Sequence, residues 1–314
     1  MAGEADFIAA LRALATDPSS RALMDDAAVL QLGGISLVLT HDMLVEGVHY
    51  LPGDPAEDVA WKLVAVNLSD LAAKGATPVG ALLGYALGDE DWDRAFIRGL
   101  AAALSAFSLP LLGGDTVAFP AGAPRALGLT ALGRADTSVP ARSGANAGDH
   151  LWVSGTIGDA GAGLRLLRSG KVEPAALIER YRNPRPRLEA GRRLAPIVAA
   201  MMDVSDGLLI DALRMAEASG CKAEIELETV PLSDDLRATG TDALEAAASG
   251  DDYELLFAAP ADAASRILRL GEEIGVPFSR IGRFEPGAGI RLTRSGEPVP
   301  LPERLGFEHT SPTA

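Results

Sequence analysis

The chain has 314 residues, a formal net charge of −15 and an isoelectric point near 4.7, and its length is typical of two domains. Nucleic acid and anionic membrane surfaces do not attract such an acidic protein, so both classes of partner are excluded. The single cysteine, Cys221, excludes an internal disulfide, and no apolar run approaches the ~18 residues of a membrane span. Because the N-terminus carries acids where a signal peptide needs bases, we expect a soluble, cytoplasmic protein.

The first predicted sheet element is a β-hairpin that turns at Gly33-Gly34. In the register of a two-residue loop, Asp25 lies opposite Asp42, and Asp26 is one residue further along. Like charges at opposite positions of a strand pair are destabilising unless a cation lies between them. A bulge would exchange Asp25 for Asp26 as the inward acid. The sequence therefore predicts an acidic cluster here and leaves open which of the two acids faces it.

The next element is a predicted helix of about 20 residues, with an N-cap at Asp54 and a stop at Gly75. Three polar residues are predicted to face solvent: Asp58, Lys62 and Ser69. Three others lie within the apolar arc of the helix: Asn67, Asp70 and Lys74. A buried carboxylate is costly unless it is paired or bound to a metal. An ion pair between Asp70 and Lys74 at i,i+4 or a metal ion would meet this requirement.

After the helix, the first half continues with a second apolar helix near residues 92–107. A short buried strand then ends in Gly113, Gly114 and Asp115, where backbone can approach a ligand or simply turn. Residues 125–133 alternate like a further strand. Because strands and helices interleave, the predicted fold class is α/β or α+β.

A cluster of proline and glycine near residues 135–149 marks a domain boundary. The second half opens with a strand and a glycine-rich turn at residues 155–163. This turn matches neither the dinucleotide-binding pattern nor Walker A, so we expect it to serve tight packing. Asp203 and Asp206 lie between a strand and a helix, where Ser205 or Asp206 is expected to cap, which leaves one acid unexplained. We predict two domains: residues 1–137 and 138–314.

Carboxylates at the ends of elements recur through both halves: Asp25, Asp26, Asp42, Asp70, Asp115, Asp203 and Asp206. Gathered in one cleft, they could not all be ionised without a divalent metal. Oxygen ligands with one cysteine and few histidines favour Mg²⁺ or Mn²⁺ over Zn²⁺. Several such ions imply a polyphosphate substrate and phosphoryl transfer, which needs mainly positioning and charge neutralisation. The sequence contains no catalytic triad pattern, CxxC pair or HExxH motif.

Seven motifs follow one another along the chain: Asp25 to Ala28, Thr40 to His49, Ala65 to Ala76, Gly113 to Thr116, Arg142 to Ala145, Asp203 to Leu208, and Ser249 to Leu255. In order and spacing they resemble the thiamine-monophosphate kinases, within the superfamily of aminoimidazole ribonucleotide synthetase. The resemblance implies an N-terminal domain that dimerises through its sheet, a C-terminal α/β domain, and an ATP-binding cleft without a P-loop. It also implies Mg²⁺-dependent transfer of the ATP γ-phosphate to thiamine monophosphate, without a phosphoenzyme.

The resemblance also implies roles for individual residues. Magnesium ligands would be Asp26, Thr40, Asp42, Asp70, Asp115, Asp203 and Asp206, and among them the residues at the reaction centre would be Asp42, Asp70 and Asp115. ATP would be contacted by Gly114, Asp115, Arg142 and Ser205. Thiamine monophosphate would be contacted by His49, Asp251 and Phe307.

Some positions depart from the usual pattern of this family: His41, Met43, Asp251 and the segment 22–24. Two alternatives therefore stay open. One is another ATP-dependent enzyme of the superfamily, such as aminoimidazole ribonucleotide synthetase. The other is a non-catalytic protein that binds nucleotide or metal.

Overall fold

The computed structural model describes residues 4–120 and 122–309. Two sheets organise this part of the chain, one in each half. None of its helices is long and apolar enough to cross a membrane.

The first sheet has five strands in the order β1-β2-β5-β3-β4: β1 Ala28–Leu32, β2 Ile35–Val45, β3 Thr77–Leu87, β4 Leu111–Ala118 and β5 Ala126–Ala135. The predicted hairpin is confirmed, because Leu32 pairs with Ile35 around the two-glycine turn. Strand β1 begins only at Ala28, so Asp25 and Asp26 precede the paired strands. Their side chains are therefore free to meet groups outside the hairpin.

Four helical segments accompany this sheet: α1 Glu4–Arg12, a 3-10 segment Pro18–Leu23, α2 Ala56–Ala73 and α3 Glu90–Ala106. Helix α2 packs on β2 and β5, and α3 packs on α2. Tyr85 of β3 packs against Phe96 of α3, with ring centroids 4.9 Å apart and the rings tilted by 46°. These two helices cover one face of the sheet and, with it, form the first lobe.

The other face of the first sheet is open. Met43, Leu82 and Val117 are about half exposed on the sheet, and β4 is exposed along its whole length. The prediction of a buried strand ending at Gly113 and Gly114 is therefore wrong, since both glycines lie inside an exposed edge strand. A Cβ at Gly114 would lie 1.9 Å from the carbonyl oxygen of Leu83. Close approach of β3 and β4 is thus a sufficient reason for this glycine.

The second sheet has seven strands in the order β12-β11-β8-β10-β6-β9-β7: β6 His150–Ser154, β7 Ala200–Val204, β8 Lys222–Glu226, β9 Glu254–Ala259, β10 Phe278–Glu285, β11 Gly289–Arg294 and β12 Glu297–Val299. Its helices are α4 Asp159–Arg168, α5 Ala175–Arg182, α6 Leu188–Leu194, α7 Leu208–Ser219, α8 Asp234–Ala238, α9 Ala243–Ala247 and α10 Ala264–Ile274. Together they form the second lobe, with α7 in one core and α6 and α10 in another. The glycine-rich turn serves tight packing as predicted, since a Cβ at Gly163 would lie 2.1 Å from the carbonyl oxygen of Leu177.

Helix α2 lies between the two lobes, because α6 of the second lobe packs against the side predicted to face solvent. A Cβ at Gly191 of α6 would lie only 1.9 Å from the carbonyl oxygen of Ala72 in α2. Lys62 and Ser69 lie on the same side and are also buried, Lys62 against Asp251 and Ser69 against Asp203, so their predicted exposure is wrong. The predicted N-cap is also wrong, since Pro55 occupies that position and the Asp54 carboxylate accepts a hydrogen bond from the Leu51 N–H at 2.8 Å.

Candidate functional site

Four aspartates from both lobes form the acidic cluster: Asp26, Asp42, Asp70 and Asp203. Strand β2 contributes Asp42, α2 contributes Asp70, and β7 contributes Asp203, while Asp26 precedes β1. The hydroxyl of Thr40 donates a short hydrogen bond to the carboxylate of Asp70 and lies 3.3 Å from the carbonyl oxygen of Asp26. Thr40 lies two residues before Asp42, so the period of the strand places both side chains towards α2.

Two residues just before Asp70 in α2 form hydrogen bonds to the strands that carry Asp42 and Asp203, β2 and β7. The Asn67 side-chain oxygen accepts a hydrogen bond from the backbone N–H of Asp42 at 3.0 Å. The Ser69 hydroxyl donates to the carboxylate of Asp203 at 2.6 Å, which joins α2 to the second lobe. Three polar positions within one turn of α2 thus fix the first lobe to the second around the carboxylates.

Electrostatics shows that the clustered carboxylates act on one another. Burial, together with the charges of Asp26 and Asp206, raises the pKa of Asp42 to about 6. Burial and then the charge of Asp42 raise the pKa of Asp70 well above its ordinary value. The pKa of Asp203 rises for the same reason, with Asp26 as the strongest neighbouring charge. The structure therefore brings acids of both lobes into one low-dielectric pocket.

Basic side chains offset the negative charge at the edge of the cluster formed by Asp26. Lys74, fully buried, pairs with Asp25 and lies 2.8 Å from the carboxylate of Asp26, while Arg142 also pairs with Asp26. Although burial opposes it, these two cations keep the pKa of Asp26 below its ordinary value. The ion pair between Asp70 and Lys74 that the sequence allowed is not observed, since Lys74 pairs with Asp25 and Asp26 instead. Asp26 is the one that acts on the cluster, and Asp25 pairs with Arg21 as well.

Asp206 lies beside the cluster at the start of α7. Its carboxylate pairs with Arg214 of the same helix. The prediction that Ser205 or Asp206 caps this helix is wrong, because Gly207 is the N-cap and has no side chain to bond. The Asp211 carboxylate binds the segment just before the helix, accepting hydrogen bonds at 3.2 Å from the backbone N–H groups of Asp206 and Gly207. Both Asp203 and Asp206 are thus left without a capping function.

Asp115 is not brought to the cluster within one chain. Gly128 lies opposite Met43, and Gly84 lies opposite both Gly128 and Asp115. Residues opposite one another in a sheet share a face, so Asp115 lies on the open face with Met43, whereas Asp42 points to the covered face. Three strand spacings separate Asp115 from β2, about 14 Å. Gly114 lies on the same exposed strand.

A second polar group joins the lobes beyond the cluster: the His49 group, which consists of His49, Lys62, Asp251 and Tyr253. The His49 side chain accepts a hydrogen bond from the Val45 N–H at 3.0 Å through Nδ1. Burial, aided by the nearby His309, lowers the pKa of His49. The Asp251 N–H donates to the carbonyl oxygen of Ser205 at 2.7 Å, which connects this group to the segment before α7.

The C-terminal segment, residues 306–309, lies against Asp206 and the His49 group. The Phe307 N–H donates to the carbonyl oxygen of Asp206 at 2.9 Å, and its half-exposed ring lies edge-on to the ring of His309, 4.9 Å between centroids. His309 in turn lies 5.2 Å from the ring of His49. A Cβ at Gly306 would lie 2.4 Å from Ile210, so only glycine allows the chain to pass α7 here. The segment therefore runs from the second lobe to the first.

Known proteins resemble this chain along nearly its whole length. The family model described as AIR synthase related protein, N-terminal domain, matches residues 24–135, and the corresponding C-terminal domain matches residues 146–295. The thiamine-monophosphate kinase of Caulobacter vibrioides is 41% identical over 307 residues, 93% of this chain and 86% of that protein. The thiamine-monophosphate kinase of Salmonella typhimurium is 38% identical over 299 residues, 91% of this chain and 90% of that protein. The chain belongs to the thiamine-monophosphate kinase family.

A solved structure agrees with this membership. The structure named AaThiL complexed with AMPPCP and TMP is 31% identical, with a TM-score of 0.85, and covers 98% of this chain and 97% of that chain. The predicted two-domain α/β fold of the aminoimidazole ribonucleotide synthetase type is therefore confirmed.

Sequence reasoning assigned no role in the site to five residues that the structure places there: Lys62, Asn67, Ser69, Tyr253 and His309. Asn67 was recognised as facing the apolar side of α2, and Ser69 directly precedes Asp70, so the closeness of these polar residues in an apolar helix was the available signal. Lys62 gave no signal, because only the packing of the second lobe turns its side of α2 inward. In the described part of the chain, no three histidine, cysteine or acidic side chains are arranged to hold a metal ion.

Proposed function

We propose that this chain transfers the γ-phosphate of ATP to thiamine monophosphate in a Mg²⁺-dependent, in-line step that yields thiamine diphosphate. Membership of the family supports the ATP-dependent activity. The observation that carries the proposal is the acidic cluster, in which aspartates from two lobes raise one another's pKa. Such mutual repulsion is relieved when a divalent cation enters.

The donor set fits magnesium, since it offers carboxylate and hydroxyl oxygens and no sulfur. Ligands would be Asp26, Thr40, Asp42, Asp70 and Asp203, with Asp206 available to a further ion. When bound, the metal neutralises the phosphate charges that develop during transfer. Asp26 pairs with Lys74 and Arg142, which the metal ion would partly replace.

The chain's own residues supply positioning. Arg142 lies at the edge of the cluster and would exchange Asp26 for a nucleotide phosphate, as a guanidinium binds phosphate well. Ser205 would contact the nucleotide beside Arg142. His49 and Asp251 would hold thiamine monophosphate, and Phe307 would cover it. No protein nucleophile is required, because phosphoryl transfer depends mainly on alignment of the two substrates.

The direct experiment incubates purified protein with ATP, Mg²⁺ and thiamine monophosphate and measures thiamine diphosphate. We expect product that depends on all three components. No product from folded protein would overturn the proposed activity. ATP hydrolysis without thiamine diphosphate would favour another reaction of the superfamily, and nucleotide binding without turnover would favour a sensor.

We also propose that two copies associate through the open face of the first sheet. An exposed sheet face with large apolar side chains, such as Met43, Leu82 and Val117, is typical of an interface. A second copy would also explain Asp115, which can reach an acidic cluster only from another chain. Sedimentation should give a dimer for the wild type and a monomer for Val117→Asp. A monomeric wild type would overturn this proposal.

The remaining proposals concern organisation. We propose residues 1–137 and 138–314 as the two domains, supported by the separate sheets at residues 28–135 and 150–299. We propose the cytoplasm as the location, supported by the unpaired Cys221 and by ATP as co-substrate.

A further inference from the structure

Lys62 is a buried ammonium between the two lobes. Its side chain is 2% exposed, and Nζ donates to the Asp251 carboxylate and to the His49 carbonyl oxygen, each at 3.0 Å. The ammonium also lies 4.1 Å from the centre of the Tyr181 ring on α5. Lys62 therefore contacts the first lobe through His49 and the second lobe through Asp251 and Tyr181.

These contacts satisfy the hydrogen-bonding capacity of the Lys62 ammonium. A lysine has three N–H donors, and here two bind oxygen while an aromatic face receives the remaining charge. Burial of an ammonium is tolerated only with such partners. Lys62 is thus committed to its neighbours, so its effect on a ligand is exerted through them.

Asp251 is the partner whose position depends most on Lys62. Its φ is +72°, in the left-handed region that a non-glycine residue rarely adopts, and Tyr253 at +50° shares that strain. One carboxylate oxygen binds Lys62, and the other accepts from the Tyr253 hydroxyl at 3.2 Å. The surrounding contacts therefore hold Asp251 in one strained orientation.

Lys62 and Asp251 lie apart from the basic residues that we expect to bind the nucleotide. Tyr253 joins Asp251 to the acidic cluster, since its hydroxyl binds Asp251 at 3.2 Å and its N–H donates at 2.8 Å to the carbonyl oxygen of Val204, the neighbour of Asp203. The basic residues suited to the triphosphate, Lys74 and Arg142, lie at Asp26 instead. Lys62 thus supports one end of the cleft only.

We infer that Lys62 is a positioning residue for the phosphate acceptor: it fixes Asp251 and the His49 segment across the lobe boundary, and so sets the affinity for thiamine monophosphate without touching ATP. This inference rests on the proposed function. It assigns part of the affinity for the acceptor to a helix residue whose ion pair is with Asp251 and not with the acidic cluster.

The test compares Lys62→Met with Trp61→Phe. Trp61 is the matched control, because it also lies on α2 and donates from Nε1 to the Pro184 carbonyl oxygen at 3.0 Å, outside the site. For Lys62→Met we expect the KM for thiamine monophosphate to rise about tenfold or more, as for loss of a supporting contact, with the KM for ATP within about twofold. Trp61→Phe should change neither KM.

Two further variants distinguish positioning from a general structural role. Lys62→Arg keeps the charge and should recover part of the acceptor affinity, and it carries the test alone if Lys62→Met does not fold. Adding Lys62→Met to Asp251→Asn should raise the acceptor KM little further, because Lys62 acts through Asp251.

Equal rises in both KM values, or variants indistinguishable from Trp61→Phe, would overturn the inference while wild-type protein remains active. Wild-type protein that makes no thiamine diphosphate would instead overturn the proposed function.

Discussion

The two faces of the first sheet place the same side chain in opposite environments. On the covered face, Asp42 lies under α2 beside Asp70, where burial and neighbouring charges raise its pKa to about 6. On the open face, Asp115 is exposed among apolar side chains. The difference shows that an aspartate at the end of a motif becomes part of a site only through the surface that covers it. One face obtains that cover from α2 and the second lobe, and for the other we propose a second copy.

The largest expected effect comes from removing the charge of Asp70 on the covered face. Asp70→Asn keeps the size of the side chain and its contact with Thr40 but removes the charge that would bind metal. We expect turnover to fall on the order of 10³-fold, as for loss of a central electrostatic group. The melting temperature without Mg²⁺ should not fall, because a buried repelling charge is removed.

Asp58→Asn is the matched control, since Asp58 lies on the same helix but outside the acidic cluster. It should retain turnover within about twofold, in line with ordinary surface substitutions. Near-normal turnover of folded Asp70→Asn would remove Asp70 from the reaction centre.

A second prediction tests whether Asp115 acts from the partner. Asp115→Asn alone should lower turnover on the order of 10²-fold, at the lower end for such groups. Mixing it with Asp70→Asn and allowing subunits to exchange should restore about a quarter of the wild-type activity, because half of the random dimers contain one intact site. Activity that stays at the level of the separate variants would contradict a site shared between copies.

The smallest predicted effect is a pH dependence of stability. Because the folded pKa of Asp42 lies above the ordinary value of 3.8, its contribution to stability is full below that value and is lost as pH rises through about 6. The loss amounts to about 3 kcal/mol in the free energy of unfolding. Mg²⁺ binds the ionised form of Asp42, so the stabilisation of the protein by Mg²⁺ should grow as pH rises over the same range.

Thermal melts with and without Mg²⁺ at about pH 5 and pH 8 measure this gain. We expect the larger gain at the higher pH, and a weaker pH dependence in Asp42→Asn. An equal gain in melting temperature at both pH values would show that Mg²⁺ does not bind at the carboxylates whose pKa is raised.

Local patterns were sufficient to predict the hairpin, the extent of α2 and the inward position of Asp70. The glycine pair at the turn determined the register, and the period of the helix placed Asp70 in the apolar arc. Those features depend on neighbours within a few residues. The family motifs then allowed the two-domain fold to be predicted before any contact was known.

The errors came from contacts between distant parts of the chain. Lys62 and Ser69 were predicted to face solvent because nothing near them in sequence reveals that Asp251 and Asp203 of the second lobe bind on that side. Lys74 was considered as a partner of Asp70, four residues away, yet it binds Asp25 and Asp26 from before β1. Asp115 could not be placed, since the face of an edge strand depends on the order of strands in the sheet.

The most direct test of a site shared by the two lobes is anomalous diffraction from Mn²⁺ in crystals grown with a non-hydrolysable ATP analogue. We expect manganese at the nucleotide phosphates, within coordination distance of Asp203 from the second lobe and of Asp42 or Asp70 from the first. Manganese bound by one lobe only, with the other lobe's aspartates directed elsewhere, would contradict it.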